Sequence, residues 1–331
     1  MSASKAVAFT VAVPTMNGAR HLSETLKSIL QQEDEPFNLI VSDDRSEDES
    51  LAIVRALCGD RARIVVNSER LGLAGNWNQC VALSRTPLVA IVHQDDVLRS
   101  NHLQLHAKAF AEAPSVGLVA SGSSVVNDVG KEVSESIIGR GGLGPISRTF
   151  APGEVLALMA TGNPLRCSAV TLRVKTHSEL GGFNPALRYV VDWDFWLRVA
   201  ATWSLAWITS TTVDIRWHLA SETHRFTMAT IDLEETETIL HRVIADLNAK
   251  GVATRAIEKQ AYRALSRAYL NRAHAMLKNG EARSARHCLK TAIRLCPGVV
   301  RLIVADPKLA AQMLMVWASP TSADSLFGQS S

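Results

Sequence analysis

Two apolar runs, at residues 38–42 and 88–92, each lead into a pair of adjacent aspartates that could do chemistry together. The four acids are Asp43, Asp44, Asp95 and Asp96. Buried strands that deliver carboxylates to the carboxyl edge of a sheet hold divalent cations against phosphorylated ligands in α/β enzymes. A single aspartate at such a place is often only the cap of the next helix or turn. Two pairs together favour an enzyme that handles phosphate.

The elements that must position these acids alternate along the first half of the chain. Strands are predicted at 7–13, 38–42, 62–66 and 88–92, with helices between them, and a further short strand is predicted at 213–217. This alternation predicts an α/β fold with a mainly parallel sheet and helices on both faces. From about residue 231 the pattern is helical throughout, and Asn279-Gly280 marks the turn of one helical hairpin.

Composition describes an ordinary globular protein of 331 residues, 47% hydrophobic and 20% charged. Its five cysteines are odd in number and form no Cys-x-x-Cys pair, so neither a disulfide framework nor a thiolate zinc site is indicated. A reducing, cytoplasmic setting fits this usage. No window reaches the roughly 18 apolar residues of a membrane-spanning helix, and we expect no spanning segment.

Positive charge is concentrated in the last third of the chain. Residues 250–301 carry a net charge of +10, whereas the whole chain carries +3. Four basic residues recur every fourth position: Arg255, Lys259, Arg263 and Arg267. Such a stripe is either a solvated helix face or a peripheral contact with anionic lipid headgroups. Nucleic-acid binding ranks last, because interleaved aromatic residues and a recognisable module are missing.

Five motifs in one order give the chain a resemblance to a known family. They are residues 11–18 (VAVPTMNG), 42–46 (SDDRS), 71–76 (LGLAGN), 93–96 (HQDD) and 192–198 (DWDFWLR). Together they resemble family 2 glycosyltransferases over roughly residues 7–225. The resemblance implies a GT-A domain at residues 1–228, followed by a basic α-helical region at 229–331.

The resemblance also implies a metal site. Asp96 corresponds to the direct ligand of a divalent cation, Mn²⁺ or Mg²⁺, and Asp95 either shares the ion or reaches the ribose. His93 stands where the family motif Asp-x-Asp often has its first Asp, as a ligand or as a hydrogen-bonding neighbour. His218, after Arg216, corresponds to a third ligand, with His224 as the alternative.

The nucleotide-sugar contacts follow from the same resemblance. Asp44 corresponds to the residue that recognises the base, with Asp43 beside it, and a carboxylate there accepts an N–H from uracil, thymine or guanine. Further donor contacts are implied at Pro14, Thr15, Asn17, Arg70 and Asn76. Arg70 and Asn76 are candidates to face the phosphates.

Asp192 corresponds to the catalytic base of an inverting transfer, because a carboxylate facing the acceptor can take the hydroxyl proton. The simpler interpretation is that Asp192 and Asp194 are acids favoured by the start of a helix. Trp193 is predicted to contact the sugar, and Trp196, at helical spacing, to lie in the core.

We therefore predict an inverting, metal-dependent glycosyltransferase that uses a nucleoside-diphosphate sugar and a hydroxyl acceptor, a glycan or a lipid-linked molecule. It would serve cell-surface glycan or polysaccharide synthesis, in the cytoplasm or at the inner face of the membrane. The main alternative is a degenerate binding or scaffold protein on the same fold, favoured by His93 in place of an acid. Nucleotidyl transfer is a third hypothesis, and no phosphate-cradling Gly-x-x-x-x-Gly-Lys motif supports it.

Overall fold

The computed structural model describes residues 8–32, 35–133, 142–218, 230–249, 251–300 and 307–318. The chain divides into two compact units, one formed by residues 1–159 and 163–225 and the other by residues 226–331 with 160–162. The predicted domain boundary at residue 228 and the alternative ligand His224 lie outside the described residues.

The first half of the first unit is a parallel βα array. Strands β1 to β4 are Phe9–Thr15, Phe37–Asp43, Ala62–Val66 and Leu88–Ile91. Helices α1 to α3 are Ala19–Leu30, Ser50–Cys58 and Gly72–Leu83. All pairings among these strands are parallel, as predicted. Their carboxyl ends therefore meet at one edge.

The second half makes the sheet mixed. Strands β5 to β9 are Val97–Leu98, Val116–Val126, Arg148–Phe150, Val170–Arg173 and Ser204–Arg216. Helices α4 to α7 are His102–Glu112, Leu156–Met159, Val174–Glu179 and Val191–Thr202. Within the described residues the strand order is β3-β2-β1-β4-β8-β6-β9-β5, with β7 paired to β9. Strand β8 is antiparallel to both of its neighbours, and β6 pairs with β9 in parallel.

Burial explains why β1, β2 and β4 are continuous apolar runs. Helix α1 buries Leu22, Leu26 and Ile29 in the same core as Val11 and Val41. A sheet covered on both faces needs no polar alternation along its central strands. Strand β9 is different: sequence predicted only its last part, because the preceding Thr209-Ser210-Thr211 is polar and partly exposed.

The second unit is helical, as predicted. Its helices α8 to α11 are Ile231–Ala249, Arg255–Lys278, Ala282–Leu295 and Pro307–Ala318. Helices α9 and α10 pack against each other as a hairpin that turns at Gly280, whose φ of 84° suits glycine. Across this hairpin the Ser266 hydroxyl donates to the Ala292 carbonyl at 2.8 Å. Of the helices described, none combines the length and apolar character needed to span a bilayer.

Candidate active site

The first aspartate pair lies where β2 ends beside β1. Parallel register places Asp43 opposite Thr15 and Ser42 opposite Pro14. The Asp43 side chain is completely buried, and its Oδ1 accepts from the Ser46 amide at 2.9 Å. Its Oδ2 is buried without a hydrogen-bond partner in the described part of the chain. A buried carboxylate oxygen of this kind calls for an N–H donor.

Asp44 uses both of its oxygens inside the protein. Oδ1 accepts from the Asn67 side chain at 2.9 Å and from the Leu71 amide at 2.8 Å. Oδ2 accepts from the Gly72 amide at 2.9 Å. Asp44 thus fixes the loop that enters α3, and these bonds favour a structural role at the position where base recognition was predicted.

The two predicted phosphate contacts lie in different surroundings. Asn76 is buried, and its amide exchanges hydrogen bonds with the Ser42 side chain at 2.7 Å and the Ser42 carbonyl at 3.0 Å. Arg70 is exposed and pairs with Glu47 at 2.7 Å. Phosphate binding by either residue stays a prediction, and the hydrogen bonds of Asn76 favour a role inside the fold.

The loop after β1 is clamped to the loop that carries the second aspartate pair. The Met16 amide donates to the Gln94 side chain at 2.9 Å, and Gln94 donates back to the Met16 carbonyl at 3.1 Å. A Cβ at Gly18 would collide with the end of the Gln94 side chain, so a larger residue there would displace Gln94 from this clamp. Asn17 stands exposed at a φ of 49°, with its Oδ1 accepting from the Glu47 amide.

The second pair follows β4 and is held by two distant parts of the chain. Asp96 is 3% exposed; the Ser168 hydroxyl donates to its Oδ2 at 2.5 Å, and the Arg216 amide donates to its Oδ1 at 2.9 Å. Asp95 is half-buried, and its Oδ2 meets His218 Nε2 at 3.0 Å. Three segments of sequence thus meet at these two carboxylates: the loop after β4, residue 168 and residues 216–218.

His93 completes the cluster. One ligand atom from each of His93, Asp95 and Asp96 lies within 4.8 Å of the others. The imidazole stacks on Trp77 with ring centroids 5.1 Å apart, and its Nε2 is buried without a partner among the residues described. The other ring nitrogen, Nδ1, lies 3.8 Å from Asp96 Oδ2. Two carboxylates and an imidazole nitrogen are a donor set that suits Mn²⁺. The residues present therefore fit a divalent cation.

The two acids of this pair titrate differently. Burial raises the pKa of Asp96 above its ordinary value, and repulsion from the charge of Asp95 raises it further. Burial opposes the charge of Asp95 as well, but the hydrogen bond from His218 and the nearby charges of His93 and His218 outweigh it and lower the pKa of Asp95. A cation between them would stabilise both carboxylates in the ionised form.

Arg216 is the buried centre of this edge. The residue is 4% exposed, and its Nε donates to the Asp95 carbonyl at 3.0 Å. One terminal nitrogen donates to the carbonyls of Asn127 and Asp128, both at 3.1 Å, and the other meets Glu24 at 2.6 Å. Arg216 therefore ties β9 to the diacid loop, to the turn after β6 and to α1.

Asp192 lies in the first turn of α7 and is mostly buried. Its Oδ2 accepts from the Asn163 side chain at 2.9 Å, and its Oδ1 accepts from the Trp193 amide at 2.7 Å. Asn163 is five residues before Ser168, the residue that bonds Asp96. One short segment thus contacts both the candidate base and the candidate metal ligand.

The aromatic residues of α7 are core residues. Trp196 is fully buried, as predicted, and Trp193 is 7% exposed with its indole N–H donating to the Met159 carbonyl at 2.8 Å. This burial does not favour the predicted sugar contact of Trp193. Asp194 is fully buried and pairs with Arg198 at 2.8 Å. The two acids of this helix start therefore have different environments.

Sequence reasoning missed three residues that hold the site together: Asn163, Ser168 and Arg216. Asn163 and Ser168 lie in a segment without periodic pattern or motif. Arg216 carried one signal, since it precedes the predicted ligand His218 by two residues.

Residues 10–152 match the model of the family described as glycosyl transferase family 2. An uncharacterized protein of Mycobacterium tuberculosis, MT1568, is 29% identical over 249 residues, which cover 72% of this chain and 76% of that protein. The putative glycosyltransferase EpsE of Bacillus subtilis is 26% identical over 55% of this chain and 63% of its own length.

Solved structures show the same fold. TarS of S. aureus, residues 1–349 in complex with UDP-GlcNAc, superposes with a TM-score of 0.55 at 15% identity, covering 87% of this chain and 92% of that chain. The mannosyltransferase PcManGT from Pyrobaculum calidifontis, in complex with GDP-Man and Mn²⁺, has a TM-score of 0.55 at 17% identity, with 95% and 88% covered. The predicted fold class is confirmed.

Proposed function

We propose that this chain, which has the GT-A fold, is a family 2 glycosyltransferase that transfers a sugar, with inversion, from a nucleoside-diphosphate sugar to a hydroxyl group. The observation that carries the proposal is the cluster of His93, Asp95 and Asp96, linked to Asp192 through the segment 163–168. These contacts support a site in which the acids after β4 hold a cation with the diphosphate and Asp192 acts as the base.

For the donor base we assign recognition to Asp43. Its buried Oδ2 lacks a partner within the described ranges, whereas both oxygens of Asp44 already accept hydrogen bonds from the protein. An N–H of uracil, thymine or guanine would satisfy that oxygen. Pro14 and Thr15, beside Ser42 and Asp43 in the sheet, would line the same pocket. TarS and PcManGT bind a uridine and a guanosine nucleotide sugar, respectively.

For the cation we assign Asp95, Asp96 and His93 as candidate ligands and Mn²⁺ or Mg²⁺ as the ion. PcManGT was solved with Mn²⁺. His218 remains a candidate ligand because its Nε2 lies 3.0 Å from Asp95 Oδ2. A bound cation would neutralise the charge that develops on the departing diphosphate.

Asp192 is the proposed base. Its carboxylate would accept the proton of the acceptor hydroxyl as that oxygen attacks the anomeric carbon, opposite the departing diphosphate. Attack from the opposite face inverts the configuration at that carbon. Asn163 and the Trp193 amide each donate to one oxygen of Asp192 and would hold the carboxylate in one orientation.

We place the enzyme in the cytoplasm, in synthesis of a cell-surface glycan or polysaccharide, with a peripheral contact to the inner face of the membrane through residues 250–301. The net charge of +10 in this region supports that contact, because anionic lipids attract clustered basic residues. A lipid-linked or glycan acceptor would suit such a position.

Calorimetric titration with UDP, dTDP and GDP, each with Mn²⁺ and with chelator, tests the proposal. We expect one nucleotide to bind only with Mn²⁺, Asp96→Ala to abolish that binding, and Asp43→Asn to weaken it. Asp60→Asn, an exposed acid on the turn before β3, is the matched control and should bind as the native protein does. A folded protein that binds none of the nucleotides would contradict the proposal and favour the scaffold hypothesis.

A further inference from the structure

The second unit has a groove of about 690 Å³ between the start of α9 and the end of α10. Arg255, Lys259 and Arg263 line it from α9, and Leu295 and Pro297 from the end of α10. Basic side chains therefore face an apolar wall across one cavity. This combination suits a ligand that joins an anionic group to apolar chains.

Helical geometry explains why only part of the basic stripe lines the groove. Residues four apart on an α-helix are rotated by about 40° about its axis. Arg255, Lys259 and Arg263 thus fall within about 80° of one another, whereas Arg267 is turned about 120° away from Arg255. Arg267 is exposed on the same helix but is not part of the groove lining.

The three basic groups of the groove form no ion pair or side-chain hydrogen bond with any described residue. Other arginines of the same unit are paired: Arg272 meets Asp232 and Arg294 meets Glu237, both at 2.8 Å. Acids of α8 therefore neutralise these two arginines and leave the groove positive. Glu258 is the acid in the lining, and the Thr254 hydroxyl lies 3.1 Å from its carboxylate.

Exposed apolar residues lie close in sequence to the residues that line the groove. Val252, Ile293 and Val300 are 44%, 38% and 43% exposed, and each lies within a few residues of a lining residue in the sequence. Exposed apolar residues add no binding free energy for a water-soluble anion such as free phosphate, but they do add it for a membrane. At a membrane surface, apolar side chains enter the acyl boundary while basic ones meet headgroup phosphates.

We propose that this groove binds the headgroup phosphate of an anionic lipid at a membrane surface. Arg255, Lys259 and Arg263 contact the phosphate, and Val252, Ile293 and Val300 enter the acyl boundary. The site deepens the membrane contact proposed above and does not depend on the transfer reaction. The proposal also assigns the membrane contact to one face of α9 instead of to the whole basic region.

Cosedimentation of the full chain with phosphatidylcholine vesicles, with and without phosphatidylglycerol, tests the site. We expect binding only with phosphatidylglycerol. The triple variant R255Q/K259Q/R263Q should lower vesicle affinity on the order of a hundredfold, since each basic residue contributes about fivefold. The matched control is R267Q/K278Q/K290Q, which removes the same charge from exposed residues outside the groove. It should change affinity by less than about tenfold, through the long-range field alone.

Two further measurements distinguish a lipid headgroup from a free phosphate as the ligand. Calorimetric titration with inorganic phosphate and with glycerol phosphate should show much weaker binding than the vesicles. V252N/V300N, which leaves the charge unchanged, should also weaken vesicle binding. Equal losses in the two triple variants, or tight binding of free phosphate without vesicle binding, would overturn the proposal. Nucleotide titration of the same variants reports on the proposed transferase separately, because vesicle binding requires no donor.

Discussion

Charged side chains are buried at the sheet edge of the first unit that carries the aspartate pairs, whereas they are exposed on the basic face of α9 in the second unit. At the edge, Asp43, Asp96 and Arg216 are buried and hydrogen-bonded to named atoms. On α9, Arg255 and Lys259 are exposed on long, flexible stems without ion-pair partners in the described chain. A buried charge acts at short range in a poorly screened setting, whereas an exposed charge acts through a field that salt screens. Single substitutions should therefore have large effects at the edge and small, additive ones on α9.

The largest expected effect is on the rate at Asp192. Asp192→Asn removes the proposed base and keeps the side-chain shape, so kcat should fall on the order of 10² to 10⁴ fold. Nucleotide binding should stay unchanged, because Asp192 does not belong to the acidic cluster after β4. Steady-state kinetics and calorimetry on the same protein measure both quantities.

The neighbouring acid Asp194 is the control for this prediction. Asp194→Asn leaves the half-buried Arg198 without its carboxylate partner, so it should cost about 3 kcal/mol of stability. Its effect on kcat in the folded protein should be small. A rate loss at Asp194 as large as that at Asp192 would contradict the assignment of the base.

Arg216 should dominate the stability of the edge. Arg216→Met keeps a similar stem but removes the hydrogen bonds to three backbone carbonyls and to Glu24, which we expect to cost about 3 kcal/mol. Arg148→Met, at an exposed pair with Glu154, should cost at most about 1 kcal/mol. Urea unfolding measures the free energy of unfolding of both variants. Similar losses at Arg216 and Arg148 would contradict the prediction that burial makes Arg216 more important for stability.

A buried histidine pair in the first unit should make its stability depend on pH. His102 and His106 are fully buried on α4 with rings 4.1 Å apart, and burial lowers the pKa of His102 to about 3. In the unfolded chain His102 has an ordinary pKa of 6.5, so below that pH it is protonated there but stays neutral in the folded protein. The free energy of unfolding is therefore highest above pH 6.5 and decreases as the pH falls toward 3. At pH 5 the loss from His102 should be about 2 kcal/mol.

Thermal unfolding between pH 7.5 and pH 5 measures this loss. His102→Gln keeps a polar group near Thr212, whose hydroxyl lies 2.8 Å from His102 Nδ1, but does not titrate. We expect a shallower pH dependence in this variant. An unchanged slope would assign the acid sensitivity to other groups.

The smallest effects belong to exposed charges of the second unit. Arg294→Gln breaks an exposed pair with Glu237 and should cost at most about 1 kcal/mol, less at high salt. Arg267→Gln should change stability by less than about 0.5 kcal/mol. Urea unfolding at low and high sodium chloride tests both. A loss of more than about 2 kcal/mol in the free energy of unfolding at Arg267 would contradict the prediction that exposed charges contribute little.

Local patterns predicted the first half of the fold well because β1, β2 and β4 are buried on both faces and separated by amphipathic helices. The same patterns predicted the helical hairpin at Asn279-Gly280. Strand β9 was predicted only in its last part, because its Thr-Ser-Thr stretch has no apolar alternation. Its pairing with β6 is what makes it a strand.

The sequence by itself determined the fold class, the match of residues 10–152 to a glycosyltransferase family model and the acids that follow β2 and β4, because motif order and strand periodicity are local properties of the chain. Only the tertiary structure decided how those acids are used. Asp43 keeps a buried oxygen unpaired in the described chain while Asp44 uses both, and Ser168 and Arg216 converge on Asp96 from 72 and 120 residues away. Hydrogen-bond partners that distant leave no periodic trace in sequence, since folding alone brings them within reach.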